Sequence, residues 1–199
     1  MKTIISTVEV SQTIQKSEFI SYLIPVKNED EAKEELQNIK KQHPKATHHC
    51  SAMVIDGITR SNDDGEPAST AGLPMLQTLL GNEMDYVLAV VVRYYGGTLL
   101  GKGGLIRAYG SSVSLAISKA ELYTEKKLVQ CYATLSFDLI NVIETFAIKK
   151  ATILDRLYTD KATYILLIED ESLMDELKEL TLNQIIYSNV EEKTTLVKL

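Results

Sequence analysis

The sequence predicts an α+β protein of two small domains, on three observations. A valine-rich strand runs through a glycine-rich loop into a helix in the first half; strands and helices after residue 128 follow the order βαββαβ; a charged stretch joins the two. The 199 residues are 45% hydrophobic, ample for packed cores, which excludes disorder as the main state.

Residues 13 to 26 (TIQKSEFISYLIPV) alternate and carry β-branched and aromatic side chains, which predicts a strand. Asn28 and Asp30 open a charged stretch in which Ala32, Leu36 and Ile39 recur at helical spacing, and Pro44 ends it. Residues 50 to 55 (CSAMVI) read as a strand and 56 to 67 as a polar loop, after which Ser69 and Thr70 are placed to cap a short helix reaching Leu80. Residues 85 to 92 (DYVLAVVV) are a nearly continuous apolar run, expected in mid-sheet with both faces buried. Glycines follow at positions 96, 97, 101, 103 and 104, and the helical period resumes from Leu105 to Ala120.

Residues 121 to 127 (ELYTEKK) form the expected boundary, dividing a domain at 1–125 from one at 128–199. Beyond it come a strand at 128–136, a helix at 138–149, strands at 151–158 and 161–168 about a turn at Asp160, a helix at 170–180 and a strand near 192–198. That order predicts a ferredoxin-like sandwich, an antiparallel sheet with both helices on one face.

The first residues lack an apolar stretch long enough for a secretory signal, and no run approaches the roughly 18 to 20 apolar residues that span a bilayer. A cytoplasmic location without membrane association is expected. Cys50 and Cys131 suit a reducing compartment as free thiols. The net charge of -6 argues against a protein that coats nucleic acid electrostatically. Its distribution qualifies this: residues 1 to 127 carry 14 basic against 15 acidic residues, and residues 128 to 199 carry 7 against 12. Between Arg93 and Arg107 three basic residues, Arg93, Lys102 and Arg107, stand with no acidic one, leaving a local patch suited to a small anion or a short RNA contact.

Half of the ten glycines fall in this stretch, RYYGGTLLGKGGLIR. Either they only let the chain turn and pack, or their free N–H groups and the following helix dipole receive an anion. Gly96, Gly97, Gly101, Lys102, Gly103 and Gly104 with Arg93, Tyr94 and Arg107 are the candidate ligand-binding set, and Ser69 and Thr70 are added from the preceding loop. Gly96 to Lys102 also fits GxxxxGK, but Gly103 stands where a magnesium-binding hydroxyl belongs, which argues against a nucleotide P-loop. Tyr94 and Tyr95 read equally as stacking platforms and as anchors of the loop.

The loop RSNDDGEPASTA brings Asp63, Asp64 and Glu66 together. Three readings stand: a divalent-cation or general-base cluster, partners for Arg93 or Arg107, or an ordinary solvated turn. If the chain has catalytic residues, these three and His48 are the candidates. His48, His49 and Cys50 lack the spacing of a metal site or Cys-His nucleophile, and adjacent strand residues face opposite ways. No metal site and no cofactor are expected.

The segments SEFISYLIPV, ATHHCSAMVI, SNDDGEPASTAGLPML and VVVRYYGGTLLGKGGLIRAYG together resemble the IMPACT family, in its bacterial YigZ-like form, strongly over residues 17 to 120. Ser69 stands where that family usually has glycine, Tyr95 where it usually has phenylalanine, and Lys102 where the residue varies. The resemblance implies a first domain like the second domain of a small-subunit ribosomal protein, a βαβ-containing two-layer sandwich shared with part of elongation factor G. It implies a second domain like another part of that factor. The eukaryotic relatives are translational regulators that bind a protein of the amino-acid-starvation pathway through a chain with an extra domain. The expected function is therefore a non-enzymatic, translation-associated regulator binding RNA, the ribosome or a translation-linked protein. An enzyme of hydrolase type acting on a small phosphorylated or carboxylated ligand, and a pure protein-protein adaptor, are the alternatives.

Overall fold

The computed structural model describes residues 1–199, which divide into two compact units, Met1–Thr124 with Lys198–Leu199, and Glu125–Val197. In the first, strands β2 (Val8–Ile14), β3 (Ser17–Pro25), β4 (His48–Ile55), β5 (Ile58–Asn62) and β6 (Val87–Tyr94) form an antiparallel sheet in the order β2-β3-β6-β4-β5. The apolar run forms β6, the middle strand, buried from Val87 to Arg93.

Because β6 is apolar on both faces, both need a cover. Helices α2 (Gly72–Gly81) and α3 (Gly101–Lys119) close one face over Phe19, Leu23, Ala52, Ala89 and Val91. Helix α1 (Glu29–Gln42) closes the other through Ala32 and Ile39 over Tyr22, Ile24, Leu88 and Val90. Helices on both sides of the sheet make three layers where a two-layer sandwich was expected.

Three local readings are corrected. The stretch at 13–26 is a hairpin, not one strand: Ile14 pairs with Ser17 across Gln15 and Lys16, whose φ angles are 45° and 69°. This is the twist a two-residue hairpin turn requires, made here without the Asn or Gly that announces it. Part of the polar loop at 56–67 is β5, which pairs with β4 across the Asp56–Gly57 turn and is polar because it is an edge strand. Helix α3 begins at Gly101, so three of the loop glycines belong to its first turn. Asn28 caps α1 as expected, its Oδ1 accepting from the Glu31 N–H at 2.9 Å.

A short strand β1 (Lys2–Thr3), absent from the sequence reading, pairs with the first residues of β7 (Tyr123–Leu135). In the second unit β9 (Ala162–Ile168) lies between β7 and β8 (Ala151–Tyr158), antiparallel to both, and β10 (Ile186–Lys198) pairs with β7. Its core joins alternate residues of β7 and β9 to Ile143 and Phe146 of α4 (Ile140–Lys150) and Leu177 of α5 (Ser172–Leu180). Both cysteines are buried free thiols, and burial pushes Cys50 up to about 12 and Cys131 to about 11, so neither is a ready nucleophile. No helix is long and apolar enough to cross a membrane.

Candidate functional site

Gly96 seats the glycine loop on the sheet. Its N–H lies 3.2 Å from Ser17 Oγ, and a Cβ there would stand 1.8 Å from the Lys16 carbonyl oxygen, so only glycine permits this approach. Gly97 lies exposed beyond it, and Gly101, at φ +69°, turns the chain into α3. Gly101, Lys102 and Gly103 are exposed, and Gly104 packs against Leu100. The first turn of α3 has no acidic residue and no side-chain cap, which leaves its N–H groups open.

Beside this turn lies a cavity of about 440 Å³, whose wall includes His48, Glu66, Arg93, Tyr95, Leu99 and Lys102. The acidic loop and the glycine loop therefore meet in space, although 27 residues separate Glu66 from Arg93. Glu66 Oε1 accepts from Arg93 Nη1 at 2.6 Å and from the Tyr109 hydroxyl at 2.7 Å, with both members of the ion pair buried. Arg93 also donates to Ser17 Oγ at 3.2 Å, and its guanidinium lies over the rings of Phe19 and Tyr95, 5.4 and 5.5 Å from their centroids. His48 Nδ1 is 2.9 Å from the Asp64 carbonyl oxygen, which only accepts, so Nδ1 carries a proton, and Nε2 lies 3.8 Å from Glu66 Oε1.

Several candidates are placed elsewhere. Arg93 was expected to meet phosphate, but it is 5% exposed and committed to Glu66 and Ser17. Tyr94 follows it on the strand and so faces away, toward α1, with its hydroxyl 3.0 Å from His43 Nδ1. Asp63 is turned inward, accepting the N–H groups of Ser69, Ala71 and Gly72 at 2.8, 3.0 and 2.8 Å. It thus takes the capping role expected of Ser69 and Thr70. Ser69 adopts φ +62°, the region that favours the glycine usual there in the family, and Thr70 is buried with its hydroxyl on the Pro67 carbonyl. Asp64 faces Lys40 at 3.0 Å and the His49 N–H at 2.7 Å. Burial opposes its charge, and those two donors outweigh burial and hold it below the usual carboxylate range. The three carboxylates do not converge, and no cluster of three His, Cys, Asp or Glu side chains able to hold a metal is present. Arg107 lines a separate hollow of about 210 Å³ with Leu100 and Ser111.

Asp63 supports one prediction here. Asp63→Ala leaves three N–H groups without an acceptor and is expected to lower stability by about 2 kcal/mol in urea unfolding. A loss under about 0.5 kcal/mol would remove Asp63 from this role.

Sequence reasoning did not single out Tyr109, Ser17 or Leu99. Tyr109 falls on the buried stripe of α3, and a tyrosine there needs a partner for its hydroxyl, which was the available signal. Ser17 gave none. Leu99 is 85% exposed, and an apolar residue between glycines was a sign of a surface site.

This fold and site define a class: an α+β domain built around a glycine loop and an open helix N-terminus, followed by a second α+β unit. Residues 15–117 match the Impact N-terminal domain, and the chain belongs to the IMPACT family, in its YigZ-like form. It is 52% identical over 124 residues to the IMPACT family member YvyE of Bacillus subtilis, a match covering 61% of this chain and 57% of the relative. It is 45% identical over 125 residues to the IMPACT family member YigZ of Escherichia coli, covering 60% of each. The chain thus spans less than two thirds of the length of these relatives. A solved structure described as that of a hypothetical protein is 30% identical, with a TM-score of 0.60, over 96% of this chain and 98% of its own.

Proposed function

We propose that this chain is a cytoplasmic, translation-associated regulatory protein whose first unit binds RNA, alone or within the ribosome. The observation that carries the reading is the acid-free, uncapped start of α3, flanked by Lys102 and Arg107, both exposed and neither in an ion pair. Exposed Tyr95 and Leu99 stand beside it and offer apolar surface for an unstacked base. The family resemblance, which implies that the eukaryotic relatives are translational regulators, supports the same reading. We read the second unit as ferredoxin-like; its acidic surface suits a role in orienting the first or in contacting protein rather than RNA.

A salt titration with a short single-stranded RNA tests this. Binding is expected to weaken as salt rises, and Lys102→Ala with Arg107→Ala is expected to reduce the log–log slope by about 1.4. Binding that is undetectable at low salt, or that ignores the double substitution, refutes the RNA reading.

One observation favours a second reading as an enzyme. His48 Nε2 and Glu66 share a concave wall beside the helix N-terminus, the arrangement of a base next to an anion-binding element. Chemical change in the RNA during the titration would shift the conclusion to that reading, with His48 and Glu66 rather than Asp63 or Asp64 as its residues.

A further inference from the structure

The α3 N-terminus is not the only unsatisfied feature at this cavity. Arg93 is 5% exposed and lines it, yet its Nε has no hydrogen-bond partner. Glu66, with a side chain 4% exposed, uses Oε1 for both Arg93 and Tyr109 and carries no hydrogen bond on Oε2. The buried Nε donor is costly to leave without an acceptor, whereas Glu66 Oε2 is not fully enclosed and stays open to accept a hydrogen bond. The cavity wall therefore combines the open backbone donors at the start of α3, Lys102, apolar surface from Tyr95 and Leu99, and an acceptor on Glu66.

We infer that this cavity is a terminal-phosphate pocket, taking one nucleotide with its phosphate monoester at the start of α3 beside Lys102. The base lies against Tyr95 and Leu99, and a ribose hydroxyl donates to Glu66. The inference rests on the RNA-binding reading and narrows it to the end of a strand. The buried Arg93–Glu66 pair forms part of the cavity wall, and the volume of about 440 Å³ suits one nucleotide. A monoester carries up to two negative charges, which suit oriented N–H groups and a helix dipole better than the single charge of a diester.

The test uses the full chain and octamer RNAs of one sequence ending in a 5′-phosphate, a 3′-phosphate or hydroxyls at both ends, with adenosine 5′-monophosphate and adenosine as competitors. One phosphorylated octamer is expected to bind about tenfold tighter than the hydroxyl form, and the monophosphate to compete where adenosine does not. Gly103→Glu should erase the difference. Its Cβ would meet nothing nearer than Arg107 Nη1 at 3.8 Å, and an acidic residue suits a helix first turn, so the fold is retained. Equal binding of all three octamers without competition by the monophosphate overturns the pocket and leaves the RNA reading standing. Binding of the monophosphate with no RNA binding overturns the RNA reading and supports the pocket for a free mononucleotide.

Discussion

Arg93→Ala is expected to lower the free energy of unfolding by about 3–5 kcal/mol, measured by urea denaturation. The guanidinium is the countercharge of a carboxylate whose side chain is 4% exposed, and without it Glu66 keeps only the Tyr109 hydroxyl. The substitution also removes the flat group held between Phe19 and Tyr95 and the donor to Ser17. Arg93→Lys should recover little, because one ammonium does not reproduce a fork reaching Glu66 and Ser17 together. The double variant with Glu66→Gln should be less destabilised than the two single effects combined, since the damage comes from leaving one partner charged and alone. A stability loss below about 1 kcal/mol together with lost RNA binding would instead return Arg93 to the ligand-contacting role.

The second large effect is at Gly96. An alanine Cβ there would lie 1.8 and 2.0 Å from the Lys16 carbonyl oxygen and carbon and 2.6 Å from the Ser17 nitrogen. These are backbone atoms of a two-residue turn, which no rotamer change relieves. The hairpin must move away from the glycine loop, and with it Ser17, which bonds both the Gly96 N–H and Arg93. A loss of about 3 kcal/mol is expected in the same assay. Gly81→Ala is the control: nothing lies within 4 Å of its Cβ position, so the variant should be as stable as the parent or slightly more. Parity between the two variants would mean that the loop does not rest on the hairpin.

These expectations separate support from contact within the glycine stretch. Gly96 and Arg93 hold the site together and Gly101, at φ +69°, sets the turn into α3, whereas Lys102 and Gly103 face solvent at its start. Substitutions in the first group act on stability, and those in the second act on binding. The sequence shows the two groups as one continuous run, because glycine that permits close packing and glycine that leaves a surface bare look identical along a chain.

What the sequence alone determined was whatever depends on near neighbours. The middle strand at 87–94 followed from unbroken apolar character, α1 from its spacing and its Asn28 cap, and the order of elements in the second unit from alternation and turn residues. The same local signals located the stretch from Arg93 to Arg107 and the Asp63–Glu66 loop, and they limited neighbouring strand residues to opposite faces. Tertiary structure decided the partners. Glu66 rather than Asp63 or Asp64 pairs with Arg93, Asp63 becomes the cap of α2, and Tyr94 turns to His43 while Tyr95 covers the guanidinium. The reason is physical. Which of three adjacent carboxylates meets a buried arginine is set by how two strands and a loop cross in space, and a pairing over such a span leaves no periodic trace in the chain.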